Sequence, residues 1–290
     1  MLVRAPDHLG DGVMALPAIA LLAAHAEVEV LAPGWGAALY RHLPVRVLPR
    51  ELAFRRSFQA ELAVLLKPSL SAALRALPAR RRVGHPSDGR AWLLSESVPE
   101  RDEHRADGLL RIACAALGLP FEPPALPSYP TGPADEAELP TDLPPDAVLL
   151  LPGTASAETV AWRGFPKLAL PGLLAAGGPG DERVLASLGC RVLPTLSLPA
   201  LALLATRVRA VVGNDSGLPH LATAARRAAG LSPADVHIVY ASTDPARTGP
   251  PGSRPWPGPR PPCWPCYAKS CTIGAPCRDA DPAALIEVLR

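Results

Sequence analysis

The first thirty-three residues, MLVRAPDHLGDGVMALPAIALLAAHAEVEVLAP (1–33), decide the fold class. LVR is a short apolar strand. DHLGDG (7–12) is a polar, glycine-bearing loop. VMALPAIALLAAHA (13–26) is apolar on nearly every side, so it predicts a buried helix. EVEVLAP (27–33) is a second strand. A strand, a helix and a strand within one such stretch are the signature of parallel α/β structure.

The same alternation continues outward. The pattern predicts a helix near 34–43, strands at 45–48 and 62–66, a helix at 69–77, a strand at 81–84 and a helix at 103–118. Residues 119–146 are rich in proline and acid and read as a linker. A second set of strands follows at 147–153, 173–178, 191–196, 210–212 and 236–242. The chain thus predicts two α/β units, 1–140 and 141–290. Doubly wound units bind ligands beyond the carboxyl ends of their strands. Polar loops fall at those ends: DHLGDG, PGTAS (152–156), GGPGDE (177–182), GNDSG (213–217) and STDPARTGP (242–250).

Composition narrows the function. The chain has 290 residues, 48% of them hydrophobic, and a net charge of +2, which offers no general nucleic-acid partner. The charge is uneven. Residues 37–92 hold eleven Lys and Arg against three acids, an excess of eight positive charges. That is either a solvated basic face or a surface for an anionic acceptor or an anionic membrane. No segment reaches the roughly 18 apolar residues of a membrane span. Residues 13–26 follow Asp7 and Asp11 rather than a basic leader, so a cytoplasmic protein is expected.

AVVGNDSGLPHLATA (210–224) raises a sharper question. Asn214, Asp215, Ser216 and Gly217 suit a tight strand-to-helix turn. They equally suit an anion site, since a helix start presents unpaired N–H groups and partial positive charge. Cys263, Cys266, Cys271 and Cys277 form C-x2-C-x4-C-x5-C. Either they are free thiols or a disulfide, or they hold a structural zinc or iron; four thiolates leave no open catalytic position. Cys114 and Cys190 read as small buried hydrophobes.

Taken together, LVRAPDHLGDGVMALPAIALL, LLKPSLSAALRALPARRRVGH (65–85), GGPGDE, AVVGNDSGLPHLATA, STDPARTGP and CWPCYAKSCTIGAPC (263–277) resemble the family 9 glycosyltransferases, the ADP-heptose:lipopolysaccharide heptosyltransferases. The likeness is nearest to the type that adds the second inner-core heptose. It implies a GT-B architecture, two Rossmann-like doubly wound domains facing across a cleft. It implies an inverting transfer of a heptose or related sugar from an ADP-sugar to an anionic glycolipid or oligosaccharide acceptor. It also implies no cofactor for catalysis and a place in the cytoplasm, with peripheral contact at the inner face of the inner membrane. Asp11 then falls on the family's catalytic base, with Asp7 a weaker candidate in the same loop. Asp215, Ser216, Gly217 and His220 fall on the donor site, with Asp181 and Glu182 near the ribose position and Thr154 and Thr243 lining the pocket. Lys67, Ser69, Arg80 and Arg81 fall on the acceptor side. The family's Lys-Arg before its tryptophan is replaced here by Val160 and Ala161 ahead of Trp162; Arg163 and Lys167 are the candidates to supply the missing charge. The departure leaves a second reading open, a homologue that binds nucleotide or sugar with little turnover.

Overall fold

A computed structural model describes residues 1–122, 126–154 and 158–290. The chain divides into two compact units, Met1–Pro127 and Ser128–Arg290.

The first unit holds a parallel sheet of β1 (Leu2–Arg4), β2 (Glu29–Ala32), β3 (Arg46–Pro49), β4 (Leu62–Leu65), β5 (Arg81–Gly84) and β6 (Glu96–Ser97), in the order β3-β2-β1-β4-β5-β6. The second holds β7 (Val148–Leu151), β8 (Leu173–Ala175), β9 (Arg191–Val192), β10 (Ala210–Asn214), β11 (Val236–Tyr240) and β12 (Arg254–Pro257), in the order β12-β11-β10-β7-β8-β9. Counted from its own first strand, each sheet runs 3-2-1-4-5-6, with every pairing parallel. This is the Rossmann order, and its strand order reverses between the first and fourth strands. Both units therefore have the expected α/β class. The central strands are buried on both faces, which explains their unbroken apolar runs: Val148 through Leu151 and Val236 through Tyr240 are all buried.

Helices follow from the same patterning. α1 (Leu9–Met14) and α2 (Leu16–His25) divide at Ala15, because Pro17 has no N–H to continue the ladder. The loop expected at 7–12 is thus mostly helix, and Asp11 lies in its first turn. The helix expected near 34–43 is a single turn, Gly36–Leu39. On the opposite face of the first sheet, α3 (Ala53–Ser57) and α4 (Leu70–Arg75) form a thinner cover. α5 (Arg105–Leu117) packs against α2 and ends at Gly118, whose φ of 68° is the left-handed conformation a helix stop favours.

In the second unit α6 (Leu198–Arg207) and α7 (Gly217–Ala228) pack together. The unit begins at Ser128, earlier than the proline pattern suggests. The physical reason lies in 128–146. Tyr129 is buried and donates its N–H to the Ala224 carbonyl at 3.1 Å. Glu138 accepts the Ser197 N–H at 2.7 Å, tying the 133–138 turn to the start of α6. Two strands have no clear sequence signal, β6 and β12. β6 has two residues, and β12 (RPWP) carries two prolines that only an edge strand tolerates.

Candidate functional site

In the second unit the strand-order reversal lies between β7 and β10, and Asn214 spans it. This fully buried side chain donates Nδ2–H to the Pro152 carbonyl at 2.6 Å and accepts the Trp162 N–H at 2.8 Å. It locks the loop after β7 to the loop after β10. Gly213 lets α7 sit close on the strand: a Cβ there would come within 2.3 Å of Pro219 Cγ. Ser216 is the extended N-cap of α7, and its side chain makes no cap bond. Among the described residues the N–H groups of Ser216, Gly217 and Leu218 have no protein acceptor, and Pro219 has none to offer. The twelve-residue helix thus points unpaired donors and its positive end at this edge.

The acid next to this start is held in place. Asp215 Oδ1 lies 3.3 Å from His220 Nε2, and Oδ2 accepts the Thr248 hydroxyl at 3.3 Å. His220 is buried, and its Nδ1 has no hydrogen-bond partner among the described residues. Thr243 is buried just after β11, and its hydroxyl also lacks a partner among the described residues. Asp181 follows β8. Its carboxylate accepts the Gly178 N–H at 2.8 Å and lies over Gly153, where a Cβ would stand 2.1 Å from Oδ2. Burial pushes the Asp181 carboxyl up from its ordinary value. Glu182 is exposed and bonds the Gly180 N–H at 3.1 Å. Thr154 is half-buried just after β7; residues 155–157 of the same loop lie outside the described residues.

The first unit arranges charge at the equivalent edge. Asp7, in the loop after β1, pairs with Arg4, with Arg50 at 2.9 Å and with Lys67 Nζ at 3.4 Å. Burial acts upward on Asp7, but the three cations win and hold it at about 2. Asp11 faces outward from α1, 3.4 Å from Arg105 Nε, with its carboxyl 24% exposed. Its neighbour Gly12 lies flat against Trp35, where a Cβ would come within 2.6 Å of the ring. The close approach fixes the backbone that carries Asp11. Ser69 caps α4 by accepting the Ala72 N–H at 3.3 Å. Lys67 and Ser69 follow β4, so they share the carboxyl edge with Asp7 and Asp11.

Arg80 and Arg81 do not join them. They precede and open β5, which in a parallel sheet puts them at the amino edge. Both are exposed there, paired with Glu61 at 2.9 Å and Glu96 at 3.2 Å. Arg163 is bound to Asp279 at 3.0 Å and to the Gly274 carbonyl at 2.8 Å, and Lys167 is exposed in a single turn. Val160 and Trp162 are core residues, and Trp162 meets Phe165 edge-on at 5.0 Å.

The four cysteines of the C-terminal segment differ in burial. Cys277 is buried against Ala241 and Trp264, whereas Cys263, Cys266 and Cys271 face solvent. The thiols are near enough that burial, then the charges of Cys266, Cys271 and Cys263, raise the Cys277 pKa. Cys271 Sγ is taken up by the Ala275 N–H at 3.2 Å. Among the described residues, no group of three or more His, Cys, Asp or Glu side chains is arranged to hold a metal ion. Of the four, Cys277 is buried and the other three are exposed.

Three residues at these edges escape the sequence patterns. Asn214 suits a turn or an anion site in sequence, Arg105 falls in a stretch read only as helix, and Arg90 is one of the basic residues of 37–92. Arg90 is fully buried; it donates to the carbonyls of His85 at 2.7 Å, Lys67 at 2.9 Å and Ser69 at 3.1 Å. It thereby fixes the loop that carries Lys67.

The model of glycosyltransferase family 9 (heptosyltransferase) matches residues 181–258, the segment from Asp181 through α7 to β12. No curated protein matches the sequence. Among solved structures, E. coli ADP-heptose LPS heptosyltransferase II is 22% identical, with 99% of this chain and 96% of that chain covered at a TM-score of 0.74. E. coli heptosyltransferase WaaC with ADP is 19% identical, with 89% and 93% covered at 0.66. The family 9 glycosyl transferase of Veillonella parvula DSM 2008 is 16% identical, with 88% and 84% covered at 0.66. Residues 181–258 thus match the model of glycosyltransferase family 9, and over nearly its whole length the chain has the fold of these solved structures.

Proposed function

We propose that the chain is an inverting glycosyltransferase that moves a heptose or related sugar from an ADP-sugar to a saccharide or lipid-linked acceptor. One observation carries this reading: the segment that matches the family is the segment that builds the β10–α7 edge. That edge offers free N–H groups and a helix start to a diphosphate. The relatives support the donor: one solved relative is bound to ADP, and another is described as an ADP-heptose transferase.

The chemistry follows from charge. As the sugar leaves, negative charge grows on the departing diphosphate. Preorganised N–H donors at Ser216, Gly217 and Leu218 stabilise that charge at no cost of rearrangement. Asp215 is held by His220 and Thr248 and so is fixed to accept sugar hydroxyls. Asp181 is seated to accept from the ribose, as an acid beyond the second strand of a Rossmann unit does. In the first unit, Asp11 is the base that takes the proton from the attacking hydroxyl, and Arg105, 3.4 Å away, orients it. Lys67 and Ser69 sit at the same edge to receive an anionic acceptor.

The test is calorimetry with ADP followed by a turnover assay with ADP-heptose and a lipopolysaccharide-core acceptor. Binding with turnover is expected. No ADP binding overturns the donor site. ADP binding without turnover on any ADP-sugar would make the chain a binding homologue, the outcome that the Val160 and Ala161 substitutions keep in view.

A further inference from the structure

The transfer chemistry makes no use of the cysteine-bearing segment 263–277, yet its backbone is tied across the carboxyl edge of the second unit. The Trp264 indole donates to the Ala241 carbonyl at 2.8 Å and packs with Ala275 and Cys277 against Ala241. The N–H groups of Cys266 and Tyr267 both donate to the Ser242 carbonyl at 3.2 Å. The Thr159 hydroxyl, from the loop after β7, donates to the Ala268 carbonyl. The segment is thus a strap from the β7 loop to the β11 loop. Tyr267 is the residue that the strap holds out. Its φ of 52° is left-handed, where a tyrosine is strained and a glycine is not. The phenol oxygen accepts the Asp244 N–H at 3.3 Å, while the residue stays 47% exposed. The Thr248 hydroxyl is shared between the Asp244 carbonyl at 3.1 Å and Asp215 Oδ2 at 3.3 Å. One residue and one hydroxyl therefore link the phenol to the Asp215 carboxylate.

The same corner gathers unsatisfied groups. Among the described residues four buried side-chain atoms lack a hydrogen-bond partner, and three are here: His220 Nδ1, Tyr240 Oη and Thr243 Oγ1. A fold leaves few such groups, and their gathering at one corner marks a place that a ligand completes. Order along the edge tells which part of a donor comes here. Asp181 follows β8, the α7 start follows β10, and Tyr267 is strapped to the loop after β11, so the three succeed one another across the sheet. A donor with its ribose at Asp181 and its diphosphate at the α7 start lays its sugar toward β11. There Asp215 meets the sugar's hydroxyls, and a half-open aromatic ring meets its apolar C–H face.

We infer that the Tyr267 ring is the stacking wall for the transferred sugar, and so a specificity-determining residue of the donor site. The inference rests on the transferase reading of the second unit and adds a contact that ADP alone cannot make. It is tested by calorimetry of the full chain with ADP and, separately, with ADP-heptose, for the wild type, Y267F, Y267N and Y267G. Asparagine and glycine both tolerate the left-handed backbone, so they remove the ring and leave the strap in place. All three variants should keep the wild-type melting temperature. ADP-heptose affinity should fall roughly tenfold in Y267N and Y267G and stay within about twofold in Y267F, which keeps the ring. ADP affinity should be unchanged in all three. Equal weakening of ADP and ADP-heptose would make Tyr267 a support of the edge, and no weakening of either would make it a bystander. Either result overturns the inference and leaves the donor site standing. A wild type that binds neither ligand would instead overturn the donor site, and this contact with it.

Discussion

The two units share one strand order and differ at the point where that order reverses. In the first unit, the groups around this point are formally charged: Asp7 among Arg4, Arg50 and Lys67, and Asp11 beside Arg105. In the second, the span is bridged by a neutral amide, Asn214, and opens onto helix N–H groups and closely approached glycines. Topology thus supplies the crevice twice, and side chains decide what each crevice binds. Fixed neutral dipoles suit a ligand that brings its own charge. Cations fixed around a carboxylate suit an anionic acceptor that must be positioned.

The largest expected effect separates these roles. Asp11→Ala should lower turnover by about 10²- to 10⁴-fold, the range for a lost general base. ADP affinity should stay within about twofold, because a base acts in the transition state and not on bound donor. Steady-state kinetics and calorimetry on the same preparation measure both. Unchanged turnover would remove Asp11 from the chemistry.

The next effect belongs to the second edge. His220→Ala removes the buried partner of Asp215 and the one side-chain N–H group inside the first turn of α7. ADP binding should weaken by about 1.5–3 kcal/mol, roughly ten- to a hundredfold. The structure gives this residue a more indirect part than its position in NDSGLPH suggests, since Nε2 is committed to Asp215. A variant that binds ADP like the wild type would show that the phosphates sit elsewhere and that the contrast between the edges has another cause.

How far these roles were legible depended on the range of the interaction. The α/β class, both polar edges and the positions of Asp11 and Asp215 follow from local patterning: strand period, glycine loops and a helix start. What escaped depends on contacts distant in sequence. Asn214 reads as a turn residue until Pro152 and Trp162 are seen beside it. Arg90 reads as one more surface cation until it is found buried beneath the Lys67 loop. Arg80 and Arg81 share with Lys67 the segment whose resemblance implies the acceptor side, yet a parallel strand carries them to the opposite edge. The cysteine spacing does not reveal that Cys277 is buried while Cys263, Cys266 and Cys271 are exposed.

A smaller effect probes the glycine seat. Gly153→Ala would place a methyl 2.1 Å from Asp181 Oδ2 and drive that carboxylate off its position. A loss of about 1–3 kcal/mol in urea unfolding is expected, as for overpacking. ADP affinity should fall with it, because Asp181 is the proposed ribose acceptor. If stability falls while ADP affinity holds, Asp181 is structural only.

The smallest effect sets the two carboxylates against each other through pH. Asp7 is held at about 2 in the fold, below its ordinary 3.8. A lowered carboxylate contributes stability that is fully present above about pH 4 and is lost as pH falls toward 2. Allowing for solvent screening at a partly open site, that contribution is about 1–2 kcal/mol. Asp181 has the opposite sign: burial raises it, so its ionised form costs stability at neutral pH. Asp7→Asn should therefore be less stable than wild type at pH 6, and the gap should close as pH approaches 2. Asp181→Asn should be equal or slightly more stable at pH 6. Urea midpoints for both variants across this range give the answer. A gap for Asp7→Asn that does not shrink on acidification would mean that its cations neutralise something other than Asp7, and the charged edge would need a different anchor.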